Sequence, residues 1–248
     1  MKTEILYGIH PVSEALKAGR RDIFTIYIAK ENISKRLEKV LALAEFLKIP
    51  IERPNSLHLK NLSGTSHHQG VGVLVGPYPL VKFSELLDGI RGAKSNPCIL
   101  LLDNIMDPRN LGALIRTALC IDTDAVIIPK DRSAQPTPIV SKASAGALEH
   151  IRLVRVTNMT NTIKALKKSG LWVAGMDKTS DKSIFFNDLT VPVAIVVGGE
   201  ESGIRPLVKK HCDFLMSIPQ TGPVDSLNAS VAGAVVMYEV FRQRRLSI

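Results

Sequence analysis

The chain has 248 residues, 45% hydrophobic and 22% charged, which is enough for a sizeable core and too apolar for a disordered chain. Its 32 Lys+Arg against 23 Asp+Glu leave a net charge of +9, which points to a polyanionic partner, nucleic acid or an anionic membrane surface, without choosing between them. Cys98, Cys120 and Cys212 form no disulfide framework, no apolar run is long enough to span a bilayer, and Met1-Lys2-Thr3-Glu4 starts neither a signal nor a transit peptide, so a reduced, cytoplasmic setting is expected.

Ile23 to Ala29, rich in β-branched and aromatic residues, predicts a strand. Ser34 to Lys48 predicts a helix with Leu37, Val40, Leu41, Ala44 and Leu47 on one face, Ser34 as N-cap and Pro50 just beyond its end. The polar turn His67-His68-Gln69-Gly70 leads into a strand over Val71 to Val75, and Gly76-Pro77-Tyr78-Pro79 then breaks the pattern. The expected division is residues 1–76, a linker over 77–94 that includes a helix at Phe83 to Arg91, and a second domain over 95–248.

That second part opens with the apolar strand Cys98 to Leu102, followed by a helix over Leu111 to Cys120 and a strand over Ala125 to Ile128. Further strands are predicted at Leu171 to Ala174, Val193 to Val197 and Phe214 to Ile218. Strands apolar on both faces suit a parallel α/β sheet covered by helices on both sides. A last helix, Ser226 to Arg244, is nearly all small or apolar up to Val236, so it should be buried in the fold or against a partner chain.

Three strand ends carry polar loops. The first runs from Asp103 through Asp107-Pro108-Arg109-Asn110 into a helix with Gly112 and Arg116 one turn apart, a possible slot for a phosphate; an exposed arginine on a capped helix has the same pattern. The second, Gly198-Gly199-Glu200-Glu201-Ser202-Gly203, puts glycines where a ligand can approach the backbone, though a plain loop would also use them. It is neither a P-loop nor a dinucleotide fingerprint. In the third, Ile218 to Ala232, Ser226 reads as the N-cap of the last helix, which leaves Asn228, a poor helix former, only partly explained. The six histidines have no metal-ligand spacing, and no G-x-S-x-G anchors a hydrolase triad.

In this order the three motifs resemble those of the SpoU (TrmH) family of S-adenosylmethionine-dependent RNA 2′-O-ribose methyltransferases. Asn110 with Arg116 resembles the first family motif, Gly198 to Gly203 the second and Ser226-Leu227-Asn228 the third. Leu6-Tyr7-Gly8-Ile9-His10-Pro11-Val12 and His68-Gln69-Gly70-Val71 resemble the preceding RNA-binding domain, related to ribosomal protein L30e. Gln220 and Ala229 depart from the usual Met and Val.

The resemblance implies a small L30e-like α/β domain followed by a parallel-sheet SPOUT catalytic domain with a C-terminal trefoil knot. It also implies a homodimer through the catalytic domain, and S-adenosyl-L-methionine held at Gly198, Ile218 and Leu227. Arg116 becomes the key catalytic residue, with Asn110, Glu200, Ser226 and Asn228 orienting it and the ribose. A guanidinium stays protonated in proteins, which favours a charge role, binding phosphate and steadying the developing 2′-alkoxide, over that of a base. The implied substrate is RNA, first a guanosine of 23S rRNA, with tRNA as the alternative; no DNA, membrane or metal partner is expected. A non-catalytic RNA-binding protein is the reading from another class. Residues 1–75 carry 11 Lys+Arg against 7 Asp+Glu, with Lys17, Arg20, Arg21, Lys35 and Arg36 as docking candidates and Arg109 and Arg116 as candidates for one phosphate.

Overall fold

Short apolar runs become strands, the amphipathic stretches between them become helices, and the strands collect into two separate sheets. The computed structural model describes residues 3–29, 34–92, 95–223 and 226–245. In chain order the elements are β1 (Glu4–Tyr7), α1 (Ile9–Ala18), β2 (Ile23–Ile28), α2 (Lys35–Phe46), β3 (Ile51–Glu52), α3 (Ser56–Ser63), β4 (Val71–Val75) and α4 (Phe83–Arg91). They continue with β5 (Cys98–Asp103), α5 (Pro108–Cys120), β6 (Ala125–Pro129), α6 (Pro138–Ala143), β7 (Leu153–Val156), α7 (Met159–Lys168), β8 (Trp172–Met176), β9 (Val193–Gly198), α8 (Pro206–His211), β10 (Phe214–Met216) and α9 (Ala229–Arg245).

The chain forms two compact units, and the first combines the described residues up to Pro79 with Pro136–His150. Its sheet has the order β1-β4-β2-β3, with β4 antiparallel to both neighbours and β3 parallel to β2. Ile26, Ile28, Val71, Val73 and Val75 meet Val12, Leu16, Leu37 and Val40 of α1 and α2 in one core. The α2 helix starts as predicted, with the Ser34 hydroxyl accepting from the Leu37 N–H at 3.4 Å.

The segment Pro136–His150 brings a buried carboxylate to this unit. Glu149 accepts from Arg21 Nε at 2.7 Å and from the Ser141 hydroxyl at 2.8 Å. Arg21 is only 7% exposed, also donates to Glu4 at 3.0 Å, and lies 5.1 Å from the centre of the Tyr78 ring. Its expected place among the docking cations is therefore corrected: it is a structural cation, because a guanidinium so far from water is held only where carboxylates compensate it. Lys35 and Arg36, by contrast, are exposed at the start of α2.

The second unit spans Leu80–Gln135 and the described residues from Ile151 onward. Its six strands, in the order β10-β8-β9-β5-β6-β7, are all parallel, as the doubly apolar strands predicted. Every residue of β5 and β6 is buried. The helix expected at Phe83 to Arg91 forms as α4, and its Leu86 and Ile90 join the core of this unit. The last helix begins at Ala229, not Ser226, and packs on α5 and β9. It is not buried all round, since Val231 and Tyr238 stay 47% and 52% exposed. Cys98 is buried, which pushes its thiol up to about 11; Cys120 is exposed and Cys212 half-buried, and all three are free thiols. Among the described residues no helix is long and apolar enough to cross a membrane.

Candidate active site

All six strands of the parallel sheet end on one side, and the loops leaving those ends gather the polar residues. Asp103, the last residue of β5, lies opposite Gly198, the last of β9. The chain after β9 doubles back at once, with the Gly203 N–H donating to the Gly199 carbonyl at 2.9 Å. That fold-back has no room for side chains at its base. A Cβ on Gly198 would stand 2.1 Å from the Gly203 carbonyl carbon, and one on Gly199 2.4 Å from the Asn104 carbonyl oxygen. Arg205 then ties the loop to β5: its backbone N–H, Nε and Nη2 donate to the buried Asp103 carboxylate at 2.9, 2.9 and 2.6 Å. No sequence signal paired these two residues, which lie 102 positions apart.

Three predicted residues from separate motifs meet here. The Asn110 amide, in the first turn of α5, donates to Glu200 Oε1 at 2.7 Å. The Asn228 amide donates to Asn110 Oδ1 at 3.1 Å and to the same Glu200 oxygen. The side-chain Oδ1 of Asn228 accepts from the Ser230 N–H at 2.9 Å, the Ser230 hydroxyl at 2.6 Å and the Val231 N–H at 3.3 Å. Asn228 is thus the cap of α9, which corrects the reading of Ser226 as cap and accounts for an asparagine at that point. Ser226 lies before the helix, outside any helix or strand.

Two cavities open on this edge. The larger, about 480 Å³, lies over the ends of β8, β9 and β10 and is lined by Gly198, Ile218, Leu227 and Ser226, all sequence-predicted. The smaller, about 200 Å³, lies between the Asn104 to Asp107 turn and Gly199 to Glu201, and reaches Asn110. Glu200 and Glu201 line both, so the Asn110–Glu200–Asn228 network stands where the cavities adjoin. The larger cavity also holds Asp177, Thr179 and Lys209, which sequence reasoning missed because a short polar turn after a strand looks like any other. Among the described residues no three His, Cys, Asp or Glu side chains gather as a metal set.

The two candidate arginines are placed differently. Arg116 is exposed on α5, outside the network, and has no hydrogen-bond or ion-pair partner among the described residues. Gly112, four residues before it on α5, is buried. Arg109 turns back to donate to Asp107 Oδ2 at 3.0 Å, and its hydrogen bonds hold the Asp107 carboxyl below the usual carboxylate range.

This arrangement has counterparts among known proteins. Residues 97–238 match the family model described as SpoU rRNA Methylase family, and residues 5–81 match one described as RNA 2′-O ribose methyltransferase substrate binding. A Pseudomonas putida protein named 23S rRNA (guanosine-2′-O-)-methyltransferase RlmB is 38% identical over 244 residues, covering 98% of each chain. A Staphylococcus haemolyticus relative, 39% identical over 98% of this chain and 97% of its own, carries a TrmH family tRNA/rRNA methyltransferase name. The crystal structure of the SpoU methyltransferase AviRb from Streptomyces viridochromogenes, solved with the cofactor AdoMet, superposes with a TM-score of 0.80 at 24% identity, covering 98% of this chain and 90% of that one.

Proposed function

Because the chain belongs to the SpoU rRNA methylase family, we propose that it moves a methyl group from S-adenosyl-L-methionine to the 2′-hydroxyl of a ribose in RNA, the acceptor being a guanosine of 23S rRNA. The observation that carries this reading is the Asn110–Glu200–Asn228 network at the junction of a large and a small cavity. The large cavity fits the donor: its volume of about 480 Å³ is in the range of small-molecule sites, and it sets the apolar Val197, Ile204, Ile218 and Leu227 beside carboxylates. When bound, the donor supplies an electrophilic methyl carbon on a sulfonium.

The residues of this chain supply position and charge. Backbone groups at Gly198, Ile218 and Leu227 hold the donor, at a loop whose tight fold-back the absent side chains of Gly198 and Gly199 permit. Glu200 and Glu201 face both cavities and offset the cationic sulfur. Asn110 and Asn228 fix Glu200 and the acceptor ribose, with Ser226 beside them. Arg116, whose guanidinium no carboxylate neutralises among the described residues, serves the substrate phosphate and the developing 2′-alkoxide.

The reading extends to the whole chain. Residues 1–76 form the RNA-binding domain, 77–94 the linker and 95–248 the catalytic domain. A trefoil knot is part of it, supported by a chain that forms the far sheet edge at β10 and then returns to pack α9 on α5 and β9. So are a cytoplasmic setting and a homodimer, the latter supported by Val231 and Tyr238 exposed on α9.

The test is methyl transfer from labelled donor to unmodified 23S rRNA and tRNA, with mapping of the modified ribose. Label on a 23S guanosine is expected. Label on tRNA alone would replace the substrate by one of the two RNA classes in the name of the Staphylococcus relative. RNA binding without transfer would leave a non-catalytic RNA-binding protein.

A further inference from the structure

The large cavity contains two carboxylate sites of different character. At the end near the small cavity, Glu200 is hydrogen-bonded by the neutral amides of Asn110 and Asn228. At the other end, Asp177 is paired with the Lys209 ammonium. Asp177 is the first residue past β8, and its N–H donates to the Met216 carbonyl at 2.9 Å, so its backbone is fixed against β10. Its side chain is 12% exposed. One carboxylate oxygen, Oδ1, accepts the Thr179 N–H at 2.9 Å and the Thr179 hydroxyl at 2.8 Å, while Oδ2 takes Lys209. A carboxylate offers about four acceptor positions. Among the described residues three are used, and the one left belongs to Oδ2.

We propose that Asp177 holds a ribose hydroxyl of the methyl donor and thereby sets which way round the donor lies in the cavity. The proposal rests on the large cavity being the site of S-adenosyl-L-methionine. The charge balance selects the donor group. A second cation at Asp177 would sit beside Lys209, so the donor's α-ammonium and sulfonium are disfavoured there, whereas a neutral hydroxyl meets no repulsion. The free acceptor position suits a single O–H donor. Burial works to raise the Asp177 carboxyl, but hydrogen bonds from Lys209 and Thr179 outweigh it and hold the carboxyl below its usual range, so it is ionised and acceptor-only at neutral pH. An acidic side chain just past a parallel strand takes ribose hydroxyls in dinucleotide-binding folds by the same chemistry. With the ribose at Asp177, the cationic sulfur lies toward Glu200 and Glu201, and its methyl group faces the small cavity from which the acceptor arrives.

Calorimetric binding of S-adenosyl-L-homocysteine and its 2′-deoxy and 3′-deoxy analogues to the full chain tests this without any variant. At least one deoxy analogue should bind about 10- to 100-fold more weakly, the worth of a hydrogen bond to a charged group. Asp177→Asn should weaken S-adenosyl-L-homocysteine by a similar factor but cost nothing further for that deoxy analogue. The same Asp177→Asn loss should appear with 5′-methylthioadenosine, which keeps the ribose and lacks the amino acid. Equal binding of all three ligands by the unaltered protein overturns the proposal. So does an Asp177→Asn loss that disappears with 5′-methylthioadenosine, which would place the ammonium at Asp177. Absence of any binding of S-adenosyl-L-homocysteine by the unaltered protein overturns the donor reading itself, and the proposal with it.

Discussion

A guanidinium stays charged at every pH at which a protein is folded, so Arg116 can supply charge and hydrogen bonds but cannot take the ribose proton. Arg116→Ala should lower the rate of methyl transfer about 10²- to 10³-fold, as loss of an electrostatic stabiliser does elsewhere. Because Arg116 lines neither cavity, calorimetric binding of S-adenosyl-L-homocysteine should be unchanged. Near-normal transfer by the variant would remove Arg116 from the chemistry. Gly198 makes the opposite prediction. A methyl group there would stand 2.1 Å from the Gly203 carbonyl carbon, and backbone cannot move aside as a flexible side chain can. Gly198→Ala should therefore cost about 1–3 kcal/mol in thermal unfolding and weaken donor binding, since the whole 199–205 loop must shift. These two residues also show what a sequence reveals at this scale. Gly198 and Arg116 stand out by type and spacing. The Asp103–Arg205 and Asp177–Lys209 pairs do not, because nothing local marks partners that meet only after the sheet has formed.

At the scale of elements, the start of α9 joins stability to the site. Asn228 caps the helix through its side-chain Oδ1 and reaches Asn110 and Glu200 through its side-chain Nδ2, so the two roles lie on different atoms. Asn228→Ala should lose both, at about 1 kcal/mol of stability and with impaired methyl transfer. Asn228→Ser should keep the cap and still lose the amide contacts, giving near-native melting with impaired transfer. Equal activity in the Ser variant and the unaltered protein would confine Asn228 to capping. The start of α9 is ambiguous in the sequence because Ser226 and Asn228 are both good caps by residue type, and which one caps depends on where the chain returns to the sheet. The strands β5 and β9 were legible for the converse reason: burial on both faces demands continuous apolar runs, a local property. The short β3 and the α6 segment carry too few apolar positions to show a period.

For the whole molecule, the net charge of +9 has to be divided between cations that face solvent and cations already committed inside the fold. Arg21 is committed, its guanidinium bonded to Glu149 and Glu4 in the first unit. The sequence places Arg21 beside Arg20 with no sign of this, because Glu149 lies 128 residues away on a segment that leaves the second half of the chain to join the first unit. Lys35 and Arg36 are exposed on α2 and available to RNA phosphates. RNA affinity should fall steeply with salt in filter-binding titrations, since each phosphate neutralised releases counterions. Lys35→Ala and Arg36→Ala should each reduce the slope of log affinity against log salt by about 0.7–0.9 if each contacts one phosphate, with melting unchanged. Arg21→Ala should do the reverse. It strands a buried carboxylate, so it should cost about 3–5 kcal/mol in unfolding without a specific change in salt slope. A flat salt dependence in the unaltered protein would mean that the excess positive charge serves solubility and not RNA. A lowered slope with intact stability in Arg21→Ala would mean that the Arg21–Glu149 pair opens when RNA binds.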